Sequence, residues 1–365
     1  PIWAKAQCMH CNQPACWSAC LVTAFSKNPD GSVTWDASKC MGCRYCMIAC
    51  PYQIPAFEYQ DAFTPDIKKC NFCHFRLVEG KPPGCVEICP TQCLTFGNRD
   101  ELIEFAHQKI EEEPDRFVNA VYGEHEVGGS SWMYLSSIPF TELNFPALPE
   151  KAPPQTTEDI QHGIFKYFIP QIALVSILGI VAKLTGERKS EKTKSTEEIE
   201  KIEKEHAAPT KARFFTPGAW VLLFFALMAG GVALYRLVAG LGPVTNLNPQ
   251  FPWGIWISIA VATGVALAAG GFTTSALVYL FHRDRYHPLM RPALLTAMLG
   301  YTFVVIGLML DLGRYYNIWH PLLPSMWSGH SVLFEVGICV TFYLTVLYLE
   351  FMPVVIDKFK GHVNL

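Results

Sequence analysis

The chain of 365 residues carries a net charge of −3 at neutral pH, is 50% hydrophobic and contains 14 cysteines. This length is sufficient for two or three domains with their own cores. The small negative charge provides no basic surface of the kind that binds nucleic acid. Thirteen cysteines precede residue 94, whereas long apolar segments begin near residue 163. We therefore expect a cysteine-rich head followed by a membrane part.

The head contains three groups of four cysteines, and the second and third groups each end in Cys-Pro. The groups are Cys8, Cys11, Cys16 and Cys20; Cys40, Cys43, Cys46 and Cys50; and Cys70, Cys73, Cys85 and Cys89. The second group has the spacing C-x2-C-x2-C-x3-C-P, which is typical of bacterial ferredoxins that bind [4Fe–4S] clusters. Gly42 allows the loop backbone to pass close to the inorganic sulfides. The pattern favours iron–sulfur clusters.

Two other interpretations of these cysteines are weaker. A disulfide framework suits small secreted scaffolds, but closely repeated C-x2-C-x2-C spacing is poor disulfide geometry. Zinc is usually bound by two separated C-x2-C pairs, which the third group alone resembles. The second group brings too many sulfurs to one loop for zinc. A zinc-binding membrane adaptor stays as the alternative of another class, and iron and acid-labile sulfide analysis distinguishes it.

In bacterial ferredoxins the fourth cysteine of each group binds the neighbouring cluster, and this exchange predicts the ligand sets. One cluster is assigned to Cys8, Cys11, Cys16 and Cys50, and its partner to Cys40, Cys43, Cys46 and Cys20. Cys70, Cys73 and Cys85 then lack a fourth ligand, and Cys89 lacks a cluster. A further quartet before Pro1 would complete both sets. Cys93 is either a substitute ligand or, by its small apolar character, a buried core residue.

Six stretches of the head carry a family resemblance, which runs from residue 1 to about 185. They are "QCMHC", "CRYCMIACPY", "PGCVEICP", "FGNRDEL", "YGEHEVGG" and "EDIQHGIFK". The head resembles the four-cluster iron–sulfur subunit of membrane-bound nickel–iron hydrogenases, which is related to the electron-transfer subunits of molybdopterin oxidoreductases. This sequence departs from that family in lacking the first Cys quartet and in having Leu21 after Cys20 in place of proline.

These patterns give a predicted fold class, an α+β ferredoxin-like [4Fe–4S] head followed by all-α transmembrane helices. The predicted parts are an iron–sulfur domain (1–100), a soluble extension (101–162), a membrane anchor (163–185), a charged cytoplasmic linker (186–213) and a partial membrane domain with four spans (214–365). Within the extension, apolar spacing predicts a surface helix over 100–113 with Asp100 as its N-cap. Within the linker, i,i+4 Glu–Lys pairs predict a solvated helix over 195–206.

Five apolar segments are long enough, or nearly so, to cross a membrane. They centre on residues 165–184, 219–236, 253–281, 293–311 and 331–356. Aromatic residues at their ends, such as Trp220, Trp253 and Trp327, are typical of a membrane interface. The stretch "GVALAAGG" (264–271) favours close packing between helices.

Loop charges predict the orientation of these spans. Basic residues are concentrated after spans one, three and five, whereas loops 240–252 and 312–330 contain only Arg314. By the positive-inside rule the basic loops are cytoplasmic. An odd number of crossings then puts the head on the periplasmic face of a bacterial or archaeal cytoplasmic membrane.

The second half carries a different resemblance, from roughly residue 214 onward. The stretches that show it are "RLVAGLGPVTNLNPQFPWGIWI", "YHPLMRPALL", "DLGRYYN" and "SVLFEVGICVTFY". They resemble the quinone-reactive membrane subunit of the same hydrogenases, the NrfD-type polysulfide-reductase family, whose members have at least eight spans. We therefore expect a fusion of two neighbouring subunits, cut at both ends.

Ionisable residues within or beside spans indicate where quinone chemistry takes place, because such residues are costly in lipid. The candidates for quinone and proton exchange are Asp311, Arg314 and Glu335, with an Asp311–Arg314 bridge at the helix end as the structural alternative. No histidine lies in the middle of a span, so we expect no haem.

The resemblance implies an electron-transfer subunit without its own catalytic centre. Its partners would be the small and large hydrogenase subunits, membrane quinone and the lipid bilayer. A molybdopterin enzyme, such as a polysulfide or nitrite-type reductase, is the alternative catalytic partner.

Overall fold

The computed structural model describes residues 4–186, 215–279, 281 and 286–360. It divides into two units. The first comprises Pro1–Glu158, Arg236–Gly254 and Met309–Cys339, and the second comprises Asp159–Tyr235, Ile255–Leu308 and Val340–Leu365. Two segments that the sequence predicts as loops between membrane spans therefore fold together with the cysteine head.

The head consists of short helices and strands, because its cysteine loops interrupt longer elements. The helices are α1 (Ala15–Ala19), α2 (Tyr45–Ala49), α3 (His74–Val78), α4 (Gly84–Glu87) and α5 (Arg99–Glu112). The strands are β1 (Phe25–Lys27), β2 (Val33–Trp35), β3 (Ala56–Phe57) and β4 (Ile67–Lys68). This mixture confirms the predicted α+β head.

The strands form two antiparallel hairpins. Strand β1 pairs with β2 in a register that sets Phe25 opposite Trp35, and β3 pairs with β4 so that Phe57 lies opposite Ile67. The turn between β1 and β2 contains Gly31 at a φ of +81°, a conformation that glycine adopts without steric cost.

Helices α1 and α2 repeat one local structure, and they pack against each other. Each is five residues long and ends at a cysteine in extended conformation, Cys20 at φ −73° and ψ 117° and Cys50 at φ −72° and ψ 114°. Extended backbone directly after a helix carries the chain away from the loop that precedes the helix. The repeated geometry therefore directs each fourth cysteine away from its own group.

One hydrophobic core joins the head to the two interspan segments. Phe25, Val33 and Ile67 are buried in it, and so are Leu241 and Leu312 from the segments Arg236–Gly254 and Met309–Cys339. Burying a leucine side chain contributes roughly 1.5–3 kcal/mol, so these contacts stabilise the first unit appreciably. The segments are part of the folded head rather than surface loops.

The N-cap of helix α5 is Asn98, and the prediction of Asp100 was wrong. The side chain of Asn98 accepts a hydrogen bond from the backbone N–H of Asp100. Asp100 lies in the first turn together with Glu101, where acidic side chains interact favourably with the helix dipole. Both Asn and Asp are good N-caps, and the helix begins one residue earlier than predicted.

Within residues 153–186, 215–279, 281 and 286–360, the structure contains five long helices. They are α6 (Pro153–Gly186), α7 (Pro217–Ala239), α8 (Ile255–Tyr279), α9 (His287–Asp311) and α10 (Val332–Lys360). Within the described residues, α7 to α10 are long and apolar enough to cross a membrane. Helix α6 contains the predicted anchor, and its apolar part, Pro170–Val181, is shorter. The predicted linker helix over 195–206 lies outside the described residues.

Small residues allow α8 and α9 to pack closely, which confirms the expectation for the stretch 264–271. A Cβ atom added to Gly264 would lie 2.8 Å from the carbonyl oxygen of Gly300, and one added to Gly271 would lie 2.6 Å from the Cβ of Ala297. Such contacts are closer than carbon atoms tolerate, so only glycine fits at these positions.

Two substitutions in α8 test this packing. Gly264→Ala should lower the thermal stability of the detergent-solubilised protein by an amount equivalent to about 1–3 kcal/mol, because the added methyl group overpacks the contact with α9. Gly270→Ala is the matched control in the same helix, since a Cβ there meets nothing within 4 Å. It should leave stability unchanged or raise it by up to about 1 kcal/mol through helix propensity. Equal effects of the two substitutions would refute the close helix contact.

Candidate iron–sulfur sites and their docking surface

Two cavities in the first unit are each lined by four cysteines. The first is lined by Cys8, Cys11, Cys16 and Cys50, with Lys69 as the charged residue in its wall. The second is lined by Cys20, Cys40, Cys43 and Cys46, with Arg44 as the charged residue in its wall. Each cavity therefore brings together one predicted ligand set, with its fourth cysteine supplied by the other group.

The chemistry of both cavities fits a [4Fe–4S] cluster. Burial raises the pKa of Cys11 and Cys43 to about 12 and that of Cys40 to about 11. Thiols of this kind become thiolates when a metal centre replaces their protons. Among the described residues that line them, the walls contain no carboxylate, and each contains one cation that would offset the negative charge of a thiolate-bound cluster. Binding should therefore release protons.

Backbone N–H groups also point at the cysteine sulfurs. The N–H of Gly42 donates to the Sγ of Cys40 at 3.3 Å, and the N–H of Phe72 donates to the Sγ of Cys70 at 3.3 Å. Such bonds tune the reduction potential of a cluster. The equal geometry indicates that the third cysteine group begins with the same turn as the second.

The third group is not gathered around either cavity. Cys70, Cys73 and Cys85 are partly buried and line neither one. Cys70 lies next to Lys69, whose Nζ donates to the Cys70 carbonyl oxygen at 2.9 Å and lies 3.9 Å from the Sγ of Cys8. The third group thus adjoins the first cavity through Lys69.

Cys93 is exposed, so its interpretation as a buried core residue was wrong. Its Sγ lies 3.5 Å from the Sγ of Cys89. Hydrogen bonds from Thr91 and then from Cys93 lower the pKa of Cys89 to about 6. A thiol with a low pKa is readily deprotonated and is a good metal ligand.

The loop of the second cysteine group is bound by the interspan segments through five successive carbonyl groups, those of residues 39–43. The donors in order are His320 Nδ1 to Lys39 (2.8 Å), Asn317 Nδ2 to Cys40 (2.7 Å), the Arg314 N–H to Met41 (3.1 Å), the Gly313 N–H to Gly42 (3.1 Å) and Trp253 Nε1 to Cys43 (2.8 Å). The Lys39 carbonyl oxygen can only accept a hydrogen bond, so the His320 ring must carry a proton on Nδ1. We call this set the carbonyl series.

A buried ion pair lies beside the carbonyl series. Arg44 Nη2 donates to Asp311 Oδ2 at 2.5 Å, and the Arg44 side chain has no exposed surface. Arg44 occupies the left-handed region at φ 62°, between Cys43 and helix α2. A buried pair of this kind requires good geometry to offset its desolvation cost, and removing one partner typically costs about 3–5 kcal/mol.

Arg314 anchors the segment Met309–Cys339 to the head with its whole guanidinium group. Nε donates to the Pro65 carbonyl at 3.0 Å, Nη1 to the Ala37 carbonyl at 2.6 Å, and Nη2 to Asp66 Oδ1 at 2.6 Å. The alternative of an Asp311–Arg314 bridge was therefore wrong. Helix α9 ends at Asp311, so the helical i+3 geometry needed for that bridge does not continue.

Several buried polar atoms near Asp311 have no hydrogen-bond partner among the described residues. They are Oδ1 of Asp311, Nε and Nη1 of Arg44, and Nε and Nη1 of Arg236. Arg236 itself donates through Nη2 to the carbonyl of Leu312, and its guanidinium lies over the Tyr315 ring. Buried orphan groups of this kind are rare and indicate a place for water or a polar ligand. Glu335 lies in the first turn of α10 and is partly buried.

Sequence reasoning did not identify Arg44, Arg236, Trp253, Asn317 and His320 as site residues. Two of them carry a usable signal. Arg44 is a charged residue inside a cluster loop, and Arg236 is a lone charge near the end of an apolar helix, where ionisable residues are rare. Asn317 and His320 are ordinary polar residues of a loop, and no local pattern separates them from their neighbours.

Comparison with known families identifies two domains in this chain. A 4Fe-4S dicluster domain matches residues 2–99, and a domain described as polysulphide reductase, NrfD, matches residues 243–362. The first match contains all the cysteines of both cavities, and the second contains Trp253 and the segment that supplies the other donors of the carbonyl series.

Each of three relatives of known sequence matches at most half of the chain. A protein of Nitratidesulfovibrio vulgaris is 57% identical over 156 residues, which cover 41% of this chain and 42% of that protein. The hydrogenase-2 operon protein HybA of Escherichia coli O157:H7 is 34% identical over 207 residues, 50% of this chain and 63% of HybA.

A probable Ni/Fe-hydrogenase 2 b-type cytochrome subunit of E. coli K12 is 42% identical over 130 residues, 36% of this chain and 33% of that subunit. The chain thus spans less than two thirds of the length of each of these relatives. Two family matches in separate parts of the sequence identify the chain as a 4Fe-4S dicluster domain joined to an NrfD domain in one polypeptide.

Proposed function

We propose that this chain carries electrons between a nickel–iron hydrogenase and membrane quinone, and anchors the hydrogenase to the membrane. The observation that carries the proposal is the carbonyl series, because it holds a cysteine loop suited to a [4Fe–4S] cluster directly against segments of the NrfD domain. The hydrogenase names of two relatives support the choice of catalytic partner.

A bound [4Fe–4S] cluster supplies reversible one-electron transfer. The residues of this chain hold the clusters and set their surroundings. Four thiolates in each cavity are the ligands, Lys69 and Arg44 offset negative charge, and the remaining walls are largely apolar. Apolar walls and N–H donors to sulfur are the features by which a protein sets cluster potential.

The contacts favour an order for the electron path. Lys69 joins the third cysteine group to the first cavity, and the packing of α1 on α2 joins the first cavity to the second. The carbonyl series then joins the second cavity to the NrfD segments. We propose that electrons from hydrogenase pass in this order and leave from the second cavity.

Asp311 is the preferred candidate for proton exchange with quinone, and Glu335 is the second. Asp311 is paired with Arg44, which lies in the wall of the second cavity. Its Oδ1 has no hydrogen-bond partner within the described part of the chain. The nearby orphan nitrogens of Arg236 are donors suited to a quinone carbonyl oxygen. Arg314, whose guanidinium is fully engaged with the head, has a docking role in this proposal.

We propose that the head lies on the periplasmic side of the cytoplasmic membrane. The two interspan segments that fold with the head are those with almost no basic residues, and the positive-inside rule assigns such segments to the outer side. If helix α7 crosses the membrane, the basic linker before it and the interspan segment after it lie on opposite sides. The head precedes α6 and the linker, so it lies on the same side as that segment only if α6 also crosses. The 34 residues of α6 would extend about 50 Å, more than the thickness of a bilayer, and we propose that its apolar part, Pro170–Val181, lies in the hydrocarbon core.

Single serine substitutions test the crosswise ligand sets. Cys50→Ser and Cys8→Ser should alter the same paramagnetic signal of the reduced protein, because both residues line the first cavity. Cys20→Ser and Cys43→Ser should alter the other signal. The measurement is electron paramagnetic resonance with iron and acid-labile sulfide analysis. If Cys50→Ser instead alters the signal that Cys43→Ser alters, the exchange of fourth ligands is wrong.

Hydrogen-dependent quinone reduction by the complete membrane complex tests the proposed function. Asp311→Asn should slow it by roughly 100-fold or more, the usual contribution of a general acid–base group. Asp66→Asn, which also removes a carboxylate paired with an arginine, is the control for damage to docking and should cost less. Unchanged quinone reduction in Asp311→Asn, with iron content intact, would exclude the proton role.

The same preparation separates the possible partners. Quinone reduction that requires a substrate of a molybdopterin enzyme, and that does not occur with dihydrogen, would identify a molybdopterin enzyme rather than a hydrogenase as the catalytic partner. Protein that contains zinc and no iron would exclude both electron-transfer functions and identify the chain as the structural adaptor.

A further inference from the structure

The peptide units of loop 39–43 connect the second cavity to the interspan segments. In the unit formed by Met41 and Gly42, the N–H of Gly42 donates to the Sγ of Cys40 at 3.3 Å. The carbonyl oxygen of the same unit accepts from the N–H of Arg314 at 3.1 Å. One peptide dipole therefore has its positive end at a cluster ligand and its negative end at the docking surface.

The other bonds of the carbonyl series act on neighbouring peptide units of the same loop. Asn317 Nδ2 donates to the carbonyl of Cys40 at 2.7 Å, and Trp253 Nε1 donates to the carbonyl of Cys43 at 2.8 Å. The Asn317 and Trp253 donors are uncharged, and they act on the carbonyl side of the loop's peptide units. A hydrogen bond to a carbonyl polarises its amide and strengthens the donor character of the N–H group, since hydrogen bonds in chains reinforce one another.

We propose that the carbonyl series raises the reduction potential of a cluster held by Cys20, Cys40, Cys43 and Cys46. Donors on Met41, Cys40 and Cys43 make the cavity face of the loop more positive, and a more positive surrounding stabilises the reduced, more negative cluster. The interspan segments thus determine how strongly this cluster attracts an electron, through Trp253 and Asn317 as positioning residues. The inference rests on the proposed function.

Two substitutions remove donors while keeping shape. Trp253→Phe deletes Nε1 but keeps an aromatic ring against Tyr45, on which Trp253 is stacked at 5.6 Å. Asn317→Leu deletes the donor to Cys40 at a buried site and keeps the number of non-hydrogen side-chain atoms. Tyr316→Phe is the matched control, since its hydroxyl donates from the same segment to Phe63, outside the cluster loop.

The measurement is a redox titration of the full chain monitored by paramagnetic resonance, with the second-cavity signal assigned by Cys43→Ser. Trp253→Phe and Asn317→Leu should each lower the midpoint potential of that cluster. The double variant should change its oxidised-to-reduced ratio at fixed potential by roughly tenfold, which is about 59 mV for a one-electron couple. The first-cavity signal should keep its potential, and Tyr316→Phe should change neither.

Three outcomes are decisive. A selective decrease in the second-cavity potential supports the inference. Unchanged potentials in both variants, with iron content and thermal stability equal to those of the unsubstituted protein, overturn it. An equal shift of both clusters also overturns it, because it would indicate a general change in solvent access. Protein without iron or acid-labile sulfide would contradict the proposed function itself, which is a distinguishable result.

Discussion

The hydrogen bonds between loop 39–43 and the segments around Trp253 and Gly313–His320 are the constraint on which the first unit depends. They use carbonyl groups that follow one another along the chain, so the two surfaces match in one register only. A ferredoxin-type loop turns N–H groups toward its cysteines and therefore turns carbonyls outward. In this chain the outward carbonyls are bound by the NrfD domain. The cofactor side and the docking side are thus two faces of the same peptide units.

Two arginines fix which surfaces meet. Arg44 extends from the cluster loop to Asp311 at the end of α9, and Arg314 extends from the following turn to Asp66 and three carbonyls of the head. Buried charges add little net stability compared with apolar packing, but a misplaced partner leaves a charge unpaired at a cost of about 3–5 kcal/mol. They therefore act mainly against incorrect docking, whereas buried residues such as Leu241 and Leu312 supply favourable burial.

The parts of this structure that local spacing determines were predictable from sequence, and the parts formed by distant residues were not. The cysteine spacing, together with the ferredoxin rule that the fourth cysteine of each group binds the neighbouring cluster, predicted the two quartets that line the cavities. Hydropathy likewise identified the long helices. Arg44 and Asp311, however, are 267 positions apart, and Asn317 and Cys40 are 277 positions apart. The predicted Asp311–Arg314 bridge assumed that the helix continued, whereas α9 ends at Asp311.

Hydrogen–deuterium exchange in the full, detergent-solubilised protein tests the docking of the cluster loop most directly. The backbone amides of Gly313 and Arg314 donate to the carbonyls of Gly42 and Met41, and both residues are buried. Peptides that contain these two amides should exchange slowly, at rates close to those of the head core around Val33. Exchange as fast as that of an unstructured peptide would mean that Gly313 and Arg314 do not bind this loop.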